Sequence, residues 1–104
     1  MIIRIVKLTL KKDMVSDFFK EFNNVHKKIA SFEGCSHVEL LADENDNGIV
    51  FTYSHWRDPD ALNNYRDSPL FGETWGTVKA MFAAKPEAWS LNRYDLNKKK
   101  FEDN

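Results

Sequence analysis

The sequence predicts an α+β domain with four strands and three helices in the order β-α-β-β-α-α-β, and two observations carry this prediction. Apolar residues recur at three- and four-residue steps from Val15 to Phe32, which is the period of an amphipathic helix. Further along, Asp58-Pro59 and Ser68-Pro69 each place a helix-capping residue directly before a proline. Because proline suits the first helical position, these pairs predict two successive helices.

Four segments have the residue pattern of β-strands. One precedes the first helix, two lie between the first and second helices, and one follows the third. Residues 2–10 carry apolar side chains on both faces, residues 35–42 alternate, and residues 49–56 are rich in β-branched and aromatic side chains. The polar loop 43–48 between the second and third strands ends in Asn-Gly, which favours a tight reversal. Residues 89–96 form the last predicted strand.

This order predicts a ferredoxin-like protomer. A right-handed βαβ crossover, a hairpin and a second crossover give a four-stranded antiparallel sheet with all helices on one face. Because the strands supply apolar residues to both faces, we expect a homodimer closed sheet to sheet. Residues 1–96 form the predicted domain, and residues 97–104 a polar C-terminal tail.

Composition and motifs restrict the classes of function. Fifteen Lys and Arg nearly balance sixteen Asp and Glu, so no long-range field attracts nucleic acid or a membrane surface. The chain lacks a P-loop, GxGxxG, GxSxG, HExxH and CxxC, so nucleotide-dependent and serine-nucleophile mechanisms have no support.

The single cysteine, Cys35, is interpreted as a small buried filler. No signal peptide or membrane span is recognisable, and we expect a cytoplasmic location.

Trp56 is the first candidate functional residue. It ends the third strand and faces the entry to the next helix, where its ring and indole N–H would line a pocket for a flat aromatic ligand. An anchor that joins helix and sheet is a compatible interpretation. The further pocket residues predicted are Tyr53, Leu62, Tyr65, Phe71, Trp75 and Arg93.

His37 and Glu39 stand two apart on a strand and therefore leave the same face, with His55 or Tyr53 on the neighbouring strand. A polar pair facing solvent or a dimer partner is one interpretation, and a non-haem iron or zinc site is another. His55 or His37 is also a candidate general base for a phenol or quinol proton. Arg4 and Arg93 lie on the first and last strands, which are neighbours in this topology, and either is a candidate for stabilising the anion that results, or for a surface or inter-subunit ion pair.

Four short segments carry a resemblance to a known family: Phe32-Glu33-Gly34-Cys35, Tyr53-Ser54-His55-Trp56, Asp58-Pro59-Asp60-Ala61-Leu62 and Ser68-Pro69-Leu70-Phe71. Together with the length and the order of elements, they resemble the antibiotic biosynthesis monooxygenase (ABM) domain family over about residues 2–95. The resemblance implies that two protomers pair into a dimeric α+β barrel.

The family's branches differ in chemistry. One branch oxidises aromatic polyketides or quinols with oxygen and no cofactor, and another binds and degrades haem. Trp56 matches a functional Trp of the first branch, whereas Thr52 and Leu62 replace its Asn and Tyr. Tyr65 and Trp75 stand where the haem branch has a Trp and the iron-ligating His. The loss of that His argues against haem chemistry, and we expect neither a cofactor nor a metal.

The leading hypothesis is therefore a cofactor-independent monooxygenase that acts on a small aromatic hydroquinone, phenol or polyketide-like substrate. Trp56 would form the pocket wall, and His55 or His37 would be the base. The alternative is a non-catalytic small-ligand-binding or stress-related dimer, which the missing Asn and Tyr favour. Either protein would have a second copy of itself and a small aromatic molecule as partners, and neither nucleic acid nor a membrane.

Overall fold

The computed structural model describes residues 1–94 and 96, so the predicted tail 97–104 lies outside the described residues. Within this part of the chain, the predicted order of strands and α-helices is confirmed. The elements are β1 (Ile2–Thr9), α1 (Val15–Ala30), β2 (Cys35–Ala42), β3 (Ile49–Trp56), α2 (Pro59–Arg66), α3 (Pro69–Val78) and β4 (Glu87–Asn92).

The four strands form one antiparallel sheet in the order β2-β3-β1-β4. Ile5 of β1 is opposite Tyr53 of β3 on one side and Trp89 of β4 on the other. Because side chains alternate along a strand, these three lie on one face, and their neighbours in sequence lie on the other. Core residues such as Val50 and Trp56 belong to the second face, where the helices pack.

β4 ends at Asn92, before the end of the predicted strand 89–96. It spans Glu87–Asn92, and its register with β1 runs from Lys7↔Glu87 to Ile2↔Asn92. Because β1 begins at Ile2, Arg93 and Tyr94 have no β1 residue left to pair with. The predicted boundary was wrong because apolar character alone does not say where the neighbouring strand begins.

Both predicted helix caps are confirmed, and they set the corner between α2 and α3. The Asp58 carboxylate accepts a hydrogen bond from the Ala61 N–H at 2.8 Å, and the Ser68 hydroxyl accepts one from the Phe71 N–H at 3.2 Å. The Ser68 hydroxyl also donates to the Tyr65 carbonyl at 2.6 Å, which joins the two helices. The corner therefore fixes where Tyr65 and Phe71 stand relative to the sheet.

Gly34 lets the loop before β2 approach α2 closely. Its φ of +90° lies in the region that favours glycine, and a Cβ there would collide with the Ala61 side chain. The Gly34 carbonyl accepts a hydrogen bond from the Arg57 N–H at 2.8 Å, just before α2 begins. This contact holds the start of α2 against the end of the sheet.

The face of the sheet away from the helices is uncovered in the single chain, and it carries large apolar side chains beside a cluster of polar ones. Large side chains on it remain exposed, with Leu41 at 45% and Trp89 and Leu91 each at 43%. Ile5 and Phe51 lie among them on the inner strands. We call this surface, from β2 to β4, the open face.

Candidate functional site

A cavity of about 390 Å³ lies between the sheet and the three α-helices. This volume is within the range of small-molecule pockets, which starts at about 300 Å³. Its wall is mostly apolar, with contributions from α1, α2, α3 and the helix-side residues of the sheet. The lining side chains that the following paragraphs use are Arg4, Glu21, Thr52, Trp56, Leu62, Tyr65, Arg66, Phe71, Thr74 and Trp75.

Aromatic rings form a continuous part of this wall. Trp56 and Tyr65 are stacked, with ring centroids 4.9 Å apart and planes 24° apart. Tyr65 meets Phe71 edge to face at 5.3 Å, and Phe71 stacks on Trp75 at 5.7 Å. Such an array offers both ring faces and ring edges to a flat aromatic ligand.

Trp56 is 1% exposed and supports this wall from within the core. Its indole N–H donates a hydrogen bond to the Ser54 hydroxyl at 2.9 Å, so that N–H is already satisfied inside the protein. The Ser54 hydroxyl in turn donates to the Arg4 carbonyl at 3.5 Å. Trp56 therefore combines the two interpretations of the sequence, since it anchors the sheet and lines the cavity.

Tyr65 presents a neutral phenol to the cavity. Burial raises the pKa of Tyr65 to about 12, and the negative form of the nearby Cys35 thiol would raise it further. Burial also raises the pKa of Cys35, whose Sγ donates to the His37 carbonyl at 3.5 Å. Neither group supplies a negatively charged base near neutral pH.

Charged side chains occupy part of an otherwise apolar wall. Arg4 projects from β1 and donates to the Ser90 hydroxyl at 2.9 Å. Arg66 comes from the last turn of α2, and Glu21 from α1. Sequence reasoning missed Arg66 and Glu21, although Arg66 follows the predicted pocket residue Leu62 by four positions, which places both on one helix face.

The structure brings together five of the predicted pocket residues and separates the others from them. The cavity wall includes Trp56, Leu62, Tyr65, Phe71 and Trp75. By contrast, Tyr53 lies on the open face, as its register with Ile5 requires. Arg93 is exposed just beyond β4 and does not line the cavity.

The predicted base residues lie on the open face, in a cluster of polar side chains. His37 Nε2 is 3.1 Å from a Glu39 carboxylate oxygen, and the rings of His37 and His55 are 5.2 Å apart. Tyr53 lies 5.1 Å from His55. His55 Nε2 is buried and has no hydrogen-bond partner within the described residues. A base at His37 or His55 would therefore act on a ligand at the open face.

Within residues 1–94 and 96, no group of three or more His, Cys, Asp or Glu side chains is arranged to hold a metal ion. The same residues contain no helix with the length and apolarity needed to cross a bilayer.

The fold and the cavity define a class: a ferredoxin-like α+β protein with an aromatic-lined cavity between its sheet and its helices. The sequence model of the antibiotic biosynthesis monooxygenase family matches residues 1–75, which include the whole aromatic wall. The chain therefore belongs to this family, and the predicted resemblance is confirmed.

Many solved structures are similar in fold. The crystal structure of an antibiotic biosynthesis monooxygenase has a TM-score of 0.86 and 16% identity, and covers 91% of this chain and 100% of its own. A conserved protein from Methanosarcina mazei Go1 has a TM-score of 0.84 and 19% identity, and covers 90% of this chain and 94% of its own. At these identities, the likeness shows the fold alone.

One relative is similar in sequence. It is a protein of Natronomonas pharaonis that carries the name "Putative heme-binding protein", and it is 31% identical over 78 residues. The matched segment is 75% of this chain but 13% of the relative. The chain thus spans about one eighth of the length of the curated relative it matches.

Proposed function

We propose that the chain is a cofactor-independent monooxygenase that oxidises a small aromatic hydroquinone, phenol or polyketide-like substrate in the cavity behind Trp56. The observation that carries the proposal is the aromatic wall from Trp56 to Trp75, which encloses a volume suited to a small ring system. Membership of the family supports the reaction class. The cytoplasmic location stays a prediction.

The chemistry needs a substrate that becomes an electron-rich anion. An anthrone illustrates the balance: a methylene proton is removed, and the resulting enolate passes an electron to O2 and then bonds to it. The methylene carbon ends as a carbonyl with one oxygen atom, and its two hydrogens leave with the second oxygen atom as water. The protein has to hold the rings, admit O2 and accept the first proton.

Within the described cavity wall, Glu21 carries the carboxylate that can accept this proton. The neutral Tyr65 cannot do so, because its pKa is about 12. His37 and His55 face away from this cavity. We therefore place proton transfer at Glu21, and a role for the two histidines would require a ligand at the open face.

We also propose that the protein works as a homodimer joined through the open face. The exposed side chains of Leu41, Trp89 and Leu91 form an apolar surface that a second copy would cover. The cavity lies on the other side of the sheet and stays accessible to ligand in such a dimer.

The second proposal is a non-catalytic or stress-related protein that binds a small ligand, and the name of the Natronomonas relative brings haem into this class. The cavity does not fit haem in this chain. Haem iron is held by His, Cys, Met or Tyr. Within the described wall, Tyr65 is the side chain of that kind, and burial keeps it a neutral phenol. A different small ligand suits the cavity better.

Oxygen uptake with a panel of anthrones and hydroquinones separates catalysis from binding alone. We expect the wild type to consume oxygen faster than the uncatalysed rate. In Thr74→Trp the rate of oxygen uptake is expected to fall by at least about tenfold, because the large ring fills a cavity that Thr74 lines. Thr77→Trp is the matched control, since Thr77 is exposed on the same helix. Uptake at background across the panel would favour the binding protein, whereas equal loss in both variants would contradict the placement of the reaction in this cavity.

A further inference from the structure

We propose that Arg4 and Arg66 form an anion subsite on the cavity wall, and that the ligand is an aromatic molecule bearing an acidic group such as a carboxylate. This inference deepens the proposed function and rests on its choice of cavity. It names a substrate class, aromatic acids, that the aromatic wall alone does not select.

The two arginines reach the same cavity from different elements. Arg4 lies near the start of β1 on the helix side and is partly buried, and it donates one N–H to the Ser90 hydroxyl at 2.9 Å. A guanidinium has five N–H donors, so most of those on Arg4 stay available. Arg66 lines the cavity from the end of α2. Burial of Arg4 and the positive charge of Arg66 both lower the pKa of Arg4.

Neither arginine has a carboxylate partner within residues 1–94 and 96. No Asp or Glu oxygen of this part of the chain lies within 4.0 Å of either guanidinium. Arg57, at the surface, shows the usual arrangement, with Glu33 at 2.9 Å and Asp58 at 3.3 Å. A partly buried cation close to another cation is costly unless an anion compensates it.

Glu21 does not supply that compensation. It shares the cavity wall, but it forms no ion pair with Arg4 or Arg66. Two arginines and one glutamate leave the wall with a formal charge of +1. A ligand carboxylate placed against the arginines would neutralise this charge and accept hydrogen bonds from both.

The rest of the wall selects an aromatic acid over a small inorganic anion. Trp56, Tyr65, Phe71 and Trp75 line the same volume and gain free energy only when an apolar body covers them. An aromatic carboxylate satisfies both requirements in one molecule, with its rings on the aromatic wall and its acid on the arginines. Oxidation of an aromatic acid would also leave the acidic group unchanged, so the subsite would hold substrate and product alike.

The test compares two probes of the same shape and different charge, 2-naphthoate and neutral 2-naphthamide, by isothermal titration calorimetry. We expect wild type to bind 2-naphthoate more tightly by about tenfold or more, the usual effect of hydrogen bonds to a charged group. In Arg66→Gln this preference is expected to fall to about twofold or less, because 2-naphthoate binding weakens far more than 2-naphthamide binding. Arg66 is exposed, so the substitution should not impair folding.

Arg57→Gln is the matched control, since it removes an arginine outside the cavity and should keep the full preference. Arg4→Gln is a second variant, expected to lose the preference as well. Equal binding of the two probes to wild type, or an unchanged preference in Arg66→Gln, would overturn the inference and leave the aromatic site intact. Failure of both probes to bind would overturn the inference and the proposed function together.

Discussion

Replacing Trp56 with alanine is expected to lower the free energy of unfolding by about 3–5 kcal/mol, the usual cost of truncating a large buried aromatic side chain. Trp56 is 1% exposed and stacks on Tyr65. Phe32 packs against the same ring at a centroid distance of 6.3 Å. The substitution would also leave the Ser54 hydroxyl without its indole partner. Loss of the ring would open a void that neighbouring side chains fill only in part.

Urea unfolding monitored by circular dichroism measures this effect. Trp56→Phe serves as the matched variant, because it keeps most of the apolar volume and loses the hydrogen bond to Ser54. We expect it to cost about 1–2 kcal/mol. A loss below about 1 kcal/mol in Trp56→Ala would contradict the position given to Trp56 at the centre of the core.

The substitution Ile5→Lys is expected to break the proposed homodimer. Ile5 lies in the middle of the open face, between Tyr53 and Trp89 in the same cross-strand row. A charge buried there without a partner costs several kcal/mol, which would raise the dissociation constant by more than about a hundredfold. Sedimentation equilibrium would then show the mass of one chain at micromolar concentration.

Ala30→Lys provides the control for this experiment, because Ala30 is exposed at the end of α1 and far from the open face. We expect that variant to sediment like the wild type, at the mass of two chains. A wild-type protein that sediments as one chain at micromolar concentration would refute the proposed dimer. The cavity would not be affected, since it lies on the helix side of the sheet.

Local sequence signals predicted most of the fold. The helical period of α1 and the capping residues Asp58 and Ser68 depend on nearby residues, and the structure confirms them. The end of β4 was not predictable in the same way, because it depends on where β1 begins. A strand's length is a property of the pair of strands and not of one segment.

The sequence predicted those residues of the candidate site whose positions depend on a single helix. Leu62, Tyr65 and Phe71 follow from the helices that Asp58 and Ser68 start, and the cavity includes all three. Arg66 was missed, because a charged residue late in a helix has the same sequence signal whether it faces solvent or a cavity. Only the packing of α2 on the sheet distinguishes these cases.

The polar cluster on the open face shows why some of the predicted site residues do not line the cavity. Trp56 and His55 are adjacent in sequence and were both predicted as site residues, yet adjacent strand residues point to opposite faces. His37 and Tyr53 share the face of His55, and Trp56 shares the face of the cavity. Their roles at the open face stay predictions that depend on what covers that face.

The most direct test of the proposed ligand site is a titration of 2-naphthol into protein with labelled methyl groups, followed by carbon–proton correlation NMR. The methyl signals of Leu62 and Val78, which line the cavity, should shift in proportion to occupancy. Those of Ile3 and Ile5 on the open face should stay unchanged. Shifts confined to Ile3 and Ile5, with the cavity methyls unmoved, would contradict the account.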